Sequence, residues 1–157
     1  MENQSDDLIG VLNDLIRINN DRVEGYQRAS EEAKDSDVDL KAIFHEMADQ
    51  SMKYVNELTT QVTRLGGDPA SNTTLSGKVY RLWMDLKSAV TGKDRMTVLD
   101  NCEFGEDVAQ KAYKAALESD AAMTTEVRQL IAEQQSSLKT AHDTIKKYRD
   151  MHKAVKS

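Results

Sequence analysis

The chain has 157 residues and carries 21 Lys and Arg against 27 Asp and Glu, a formal charge of −6. That length suits one domain, 1–157, with a core of its own, and the interspersed charges exclude the basic footprint of a nucleic-acid binder. A lone cysteine, Cys102, excludes an intrachain disulfide and suits a reducing, cytoplasmic setting, no apolar run approaches the ~20 residues of a membrane span, and the acidic start MENQSDDL is expected not to act as a secretory signal.

With one proline, Pro69, and seven glycines, long stretches lack helix breakers, so the chain is predicted to be all-α. Segment one, 6–33, repeats Leu8, Leu12, Leu15, Ile16, Val23 and Tyr26 at three- and four-residue steps. At about 100° per residue these form one stripe, with Ser5 or Asp6 as N-cap. The polar run 34–37 is short enough to make segments one and two antiparallel neighbours. Segment two, 38–65, carries Leu40, Ile43, Phe44, Met47, Leu58, Val62 and Leu65. Gly66 and Gly67 stop it, with Pro69 just beyond.

Segment three, 75–90, is a shorter amphipathic helix with Leu75, Val79, Leu82, Trp83 and Leu86 on one face. It lies inside a connection too long to be left as bare loop, and Trp83, Leu82 and Leu86 are expected to anchor it across the bundle. Segment four, 94–119, carries Leu99, Cys102, Ala109, Tyr113 and Leu117. A second apolar strip, Phe104, Val108 and Ala112, either packs under segment three or forms an oligomer interface. Segment five, 123–152, aligns Val127, Leu130, Ile131, Leu138, Ala141, Ile145 and Tyr148, and 153–157 is expected to fray. Together these segments predict an antiparallel four-helix bundle with one long crossover carrying an extra short helix, which is the ferritin-like layout.

The polar residues inside the apolar stripes carry the functional signal. With Leu12 as zero, Asn19 lies at about −20°, near the stripe centre, while Glu24 at about 120° faces solvent. With Met47 as zero, Ser51 and Tyr54 point inward and His45, at about 160°, points out. Glu106 is central on segment four, with Glu103 at the edge of the same stripe. Gln134 and Ser137 point inward on segment five. The order is one residue, an i,i+3 pair, one residue, an i,i+3 pair. Di-iron carboxylate bundles use the same scheme with Glu and Glu-x-x-His.

Here the resemblance becomes specific. The chain resembles the ferritin-like superfamily along nearly its whole length, and Tyr26, seven residues after Asn19, resembles the helix-one tyrosine of bacterioferritins. The stretches Leu12-Asn13-Asp14-Leu15-Ile16, Asn19-Asn20-Asp21, Glu24-Gly25-Tyr26, Leu65-Gly66-Gly67, Trp83-Met84-Asp85-Leu86-Lys87-Ser88-Ala89 and Gly105-Glu106-Asp107 are similar to a bacterial family of ferritin-like four-helix bundles of unknown function. The resemblance implies the fold and no established activity. Against the ferritin ligand pattern, Asn19 stands where a Glu would be, Ser51-x-x-Tyr54 and Gln134-x-x-Ser137 replace the Glu-x-x-His pairs, and only Glu106 keeps a ligand type.

Iron needs anionic oxygen and imidazole donors, and this set is nearly neutral. A metal-free buried polar network of Asn19, Ser51, Tyr54, Glu106, Gln134 and Ser137 is therefore expected. The alternative is a divergent metal-binding protein or oxidase that holds iron or another divalent ion at Glu106 and Glu103, with Tyr113 nearby. No cation occupies any of the inward positions, so desolvation is expected to raise the Glu106 pKa and make Glu106→Gln harmless above neutral pH. The three histidines, His45, His142 and His152, form no inward pair with an acid and are read as surface or boundary residues. Cys102 is read as a small buried residue, and no phosphate loop or nucleophile motif is present. The expectation is a non-enzymatic bundle, structural, stress-associated or partner-binding, with no nucleic-acid or membrane partner. A homo-oligomer or a protein partner is compatible with its surfaces.

Overall fold

Four helices account for most of the chain: α1 (Glu2–Glu32), α2 (Val38–Arg64), α3 (Arg95–Glu118) and α4 (Thr125–Lys156). The computed structural model describes residues 2–32, 38–71 and 95–156, and among them there is no strand. The antiparallel four-helix bundle expected from the periodicity is present. The expected segment 75–90, with Trp83, Leu82 and Leu86, lies outside the described residues, as does the side chain of Phe104. No helix among the described residues is long and apolar enough to cross a membrane.

Helix boundaries follow local chemistry. Gly66 takes φ +81°, a left-handed conformation that costs a side-chain-bearing residue roughly 1–2 kcal/mol. The Gly67 amide donates to the Val62 carbonyl and the Gly66 amide to that of Thr63, both at 3.0 Å, which closes α2 with a Schellman motif. Gly67 is also a close approach, because a Cβ there would lie 2.8 Å from the Ile9 side chain. Asn13 ties the following loop to α1 by donating to the Asp68 carbonyl at 3.1 Å and accepting from the Ala70 amide at 2.8 Å. Thr124 caps α4 by accepting from the Val127 amide at 3.2 Å. Two end assignments are corrected. Helix α1 already begins at Glu2, so Ser5 and Asp6 lie within it rather than capping it, and α4 continues to Lys156 instead of fraying after His152.

Helix α1 packs mainly on α2, and α3 on α4; α1 also meets α3, while the α2–α4 side is sparser. Contacts between helix ends fix the directions. At one end Gly67 meets Ile9 and Arg64 pairs with Glu126 at 3.3 Å. At the other, Arg149 pairs with Glu103 and Ser30 donates to the Lys41 carbonyl. The end of α2 and the start of α3 are therefore at opposite ends of the bundle.

The core has two apolar parts. One gathers Tyr26, Phe44, Leu99, Cys102 and Ile145, the other Leu12, Ile16, Leu58, Tyr113, Ile131 and Leu138. Each fully buried side chain of this size stabilises the fold by about 1.5–3 kcal/mol. Along each helix a buried polar residue falls near the junction of the two parts: Asn19 and Arg22 on α1, Ser51 on α2, Glu106 on α3 and Gln134 on α4.

Candidate functional site

Arg22 is the centre of this polar layer. Asn19, Arg22 and Tyr26 share the inner side of α1 at three- and four-residue steps, so one helix delivers an amide, a guanidinium and a phenol to the same level. Arg22 Nε donates to Glu106 Oε1 at 2.8 Å, with both side chains essentially inaccessible to solvent. Tyr26 Oη donates to the same oxygen at 2.7 Å. Arg22 Nη1 donates to Ser51 Oγ, and Nη2 reaches Gln50 Oε1 at 3.4 Å and Met47 Sδ at 3.8 Å. The guanidinium carbon stands 5.4 Å from the Tyr26 ring centroid, inside cation–π range.

The network continues across the bundle. Ser51 Oγ donates to Asn19 Oδ1 at 2.9 Å. Asn19 Nδ2 donates to Tyr113 Oη at 2.8 Å and to the Leu15 carbonyl at 2.9 Å. Tyr113 donates to Gln134 Oε1 at 2.6 Å, and Gln134 Nε2 donates to Glu57 Oε1 at 3.2 Å. One connected path thus runs from Glu57 through Gln134, Tyr113, Asn19, Ser51 and Arg22 to Glu106 and Tyr26, using all four helices. Glu106 Oε2 is buried and has no hydrogen-bond partner among the described residues.

Protonation follows from these contacts. Burial would push the Arg22 guanidinium down, but the facing Glu106 carboxylate, helped by Tyr26, holds it above its ordinary value. Burial, then Glu106 and Cys102, push the Tyr26 phenol well up. Burial and Glu106 do the same to the Cys102 thiol, and burial raises Tyr113. Tyr26, Tyr113 and Cys102 therefore keep their protons, and Tyr26 and Tyr113 act as hydrogen-bond donors at neutral pH.

The inward residues expected from the sequence separate into two groups. Asn19, Ser51, Glu106 and Gln134 are buried and joined by the path above. Tyr54 is buried in the apolar part with Leu58 and Val62. Ser137 is only half-buried and lines a groove of about 690 Å³ between α2 and α4, beside Met47, Gln50 and Tyr54. It makes no hydrogen bond to the path among the described residues, because its position turns toward the sparsely packed α2–α4 side.

Arg22 overturns the premise that no cation faces Glu106, and with it the expectation that Glu106→Gln is harmless. At about −80° from Leu12 it sits off the centre of the α1 stripe, and its long side chain reaches inward from that edge. Two signals pointed to it: its three-residue offset from Asn19, and the need of a buried carboxylate for a counter-charge. Glu103, one turn before Glu106, goes elsewhere. It lies on the α3–α4 seam and pairs with Arg149. His45 is exposed, whereas the His142 side chain is 18 % exposed, on the same seam.

Residues 7–119 match the family described as a domain of unknown function (DUF2383), and the chain belongs to that family. No curated protein matches the chain.

Proposed function

We propose that the chain is a non-enzymatic, ferritin-like bundle in which a buried guanidinium–carboxylate network takes the place of a di-iron centre. Its role on this reading is structural, stress-associated or partner-binding, in the cytoplasm. The opposite placement of the α2 end and the α3 start supports the long crossover of that fold class. The observation that carries the functional reading is the Arg22–Glu106 pair at 2.8 Å in the middle of the core.

A di-iron centre needs several carboxylates and imidazoles at one place. The donor set here does not fit that group. Among the described residues Glu106 is the carboxylate paired with Arg22, and its Oε1 already takes bonds from Arg22 and Tyr26. The side-chain oxygens of Asn19, Ser51, Tyr113 and Gln134 are engaged with one another or with Arg22. The open Oε2 of Glu106 is one acceptor, not a ligand set. A fixed guanidinium also repels any further cation brought to this level. The same observation weighs against a metal-binding protein or oxidase built on Glu106.

Ferrous iron added in air tests the reading. The expected result is oxidation no faster than in buffer. Saturable oxidation with two irons bound per chain, lost in Glu106→Gln, would overturn it.

A further inference from the structure

A different cluster lies one helix face away, where α3 and α4 meet. Glu103 and Asp107 are four residues apart on α3 and share a face. His142 reaches the same place from α4. One ligand atom from each of the three lies within 4.8 Å of the others, and His142 Nε2 is 2.6 Å from Asp107 Oδ1. We propose that Glu103, Asp107 and His142 form a binding site for a single divalent transition-metal ion of the zinc, cobalt or nickel class.

Three observations carry this. The donor set is mixed, one imidazole and two carboxylates; imidazole suits Zn, Ni, Cu and Fe, and Mg and Ca prefer oxygen alone. The outer contacts are already those of a ligand set. His142 Nδ1 lies 3.2 Å from Asp143 Oδ1, so an Nδ1–H donated to Asp143 lets Nε2 ligate an ion that takes the place of its contact with Asp107. Metal-bound histidines are oriented this way, by a carboxylate on the other ring nitrogen, and metal-bound carboxylates are themselves hydrogen-bonded. Arg149 supplies the second contact by holding Glu103.

The third observation is access. Glu103 and His142 are sheltered at 14 % and 18 % exposure, while Asp107 at 52 % faces water. Two donors are therefore fixed by packing, and the third side stays open for an ion and its remaining waters. Donors around an ion at 2.0–2.2 Å stand roughly 3.4 Å apart in tetrahedral geometry. The cluster reaches this by opening the 2.6 Å His142–Asp107 contact by about an ångström, with a Glu103 oxygen within 4.8 Å of both.

The inference is independent of the core reading, since none of the three residues belongs to the Arg22 path. Cobalt(II) absorption and zinc titration calorimetry on the full chain test it, with magnesium as the oxygen-preferring control. The expected result is one saturable equivalent of Co(II) or Zn(II) per chain. Affinity should fall at least tenfold in His142→Ala and in the double variant Glu103→Gln/Asp107→Asn. It should fall about 10–100-fold in Asp143→Asn, which removes only the orienting carboxylate. His45→Ala is the control, because His45 and Asp49 are exposed and only 3.7 Å apart, a generic surface pair. Its affinity should be unchanged. Unfolding midpoints measured with zinc should rise for the wild type and not for His142→Ala. Absence of saturable binding, or equal affinity in His142→Ala, would overturn the site. Two equivalents that survive His142→Ala would leave this site without support and would count against the core reading instead.

Discussion

Glu103 and Glu106 are three residues apart on one helix, yet they occupy opposite electrostatic worlds. Glu106 turns into the core, where a carboxylate without a counter-charge would be several kcal/mol too costly. It is met by Arg22 and Tyr26 from α1 and is sealed there. Glu103 turns to the seam with α4, where it is only partly covered and pairs with Arg149, itself partly exposed. Sealing ties this acid on α3 to two groups on α1. Partial exposure leaves an acid within reach of water and of a second charged partner.

The largest expected effect is on the sealed side. Arg22→Met removes the cation and leaves a buried carboxylate alone, a change that costs about 3–5 kcal/mol. Urea unfolding at neutral pH measures it, and a loss below about 1 kcal/mol would mean that the pair is not sealed. Tyr113→Phe is the next step down. It takes a donor from Gln134 and an acceptor from Asn19, and leaving buried polar groups unpaired costs about 1–3 kcal/mol. An unchanged unfolding midpoint would break the path at Tyr113.

Neutral pH hides a third effect. The Cys102 thiol and the Tyr26 and Tyr113 phenols are raised above their ordinary values of 9.0 and 10.0, chiefly by burial. Groups raised in the folded state favour folding below their unfolded pKa and lose that contribution as pH rises through the folded one. The contribution of these three groups is therefore expected to be constant from neutral pH to ~8.5, and stability to fall from about pH 9 upward. Cys102→Ala should delay the onset, because the thiol has the lower unfolded value. A rise in stability between pH 9 and 11 would contradict the burial of these groups.

The smallest effect belongs to the open side. Glu103→Gln, which breaks the pair with Arg149, is expected to change stability by less than about 1 kcal/mol. A loss comparable to that of Arg22→Met would erase the contrast between the two glutamates.

Much of this was legible in the sequence and some was not. The helices follow from apolar spacing alone, and Gly66–Gly67 marks the end of α2 because only a left-handed residue closes a Schellman turn well there. Asn19, Ser51, Glu106 and Gln134 were found because a polar residue in the middle of an apolar stripe has nowhere else to point. Arg22 escaped the same test because it starts from the stripe's edge and works through its length. Single-helix angles describe where Cβ points, not how far a long side chain reaches. Ser137 failed for the opposite reason: its angle is inward on α4, but the α2–α4 side is too sparsely packed to cover it. The cluster of Glu103, Asp107 and His142 needs the antiparallel register of α3 on α4, which no single-helix pattern contains.

A double-mutant cycle on Arg22 and Glu106 tests the sealed ion pair most directly. Unfolding free energies would be measured for the wild type, Arg22→Met, Glu106→Leu and the double variant. Each single variant strands a buried charge, and the double variant strands none. The expected result is two large single losses and a double variant more stable than either single one, by about 2 kcal/mol or more. Losses that simply add, with the double variant the least stable of the four, would contradict a mutual ion pair at the centre of this fold.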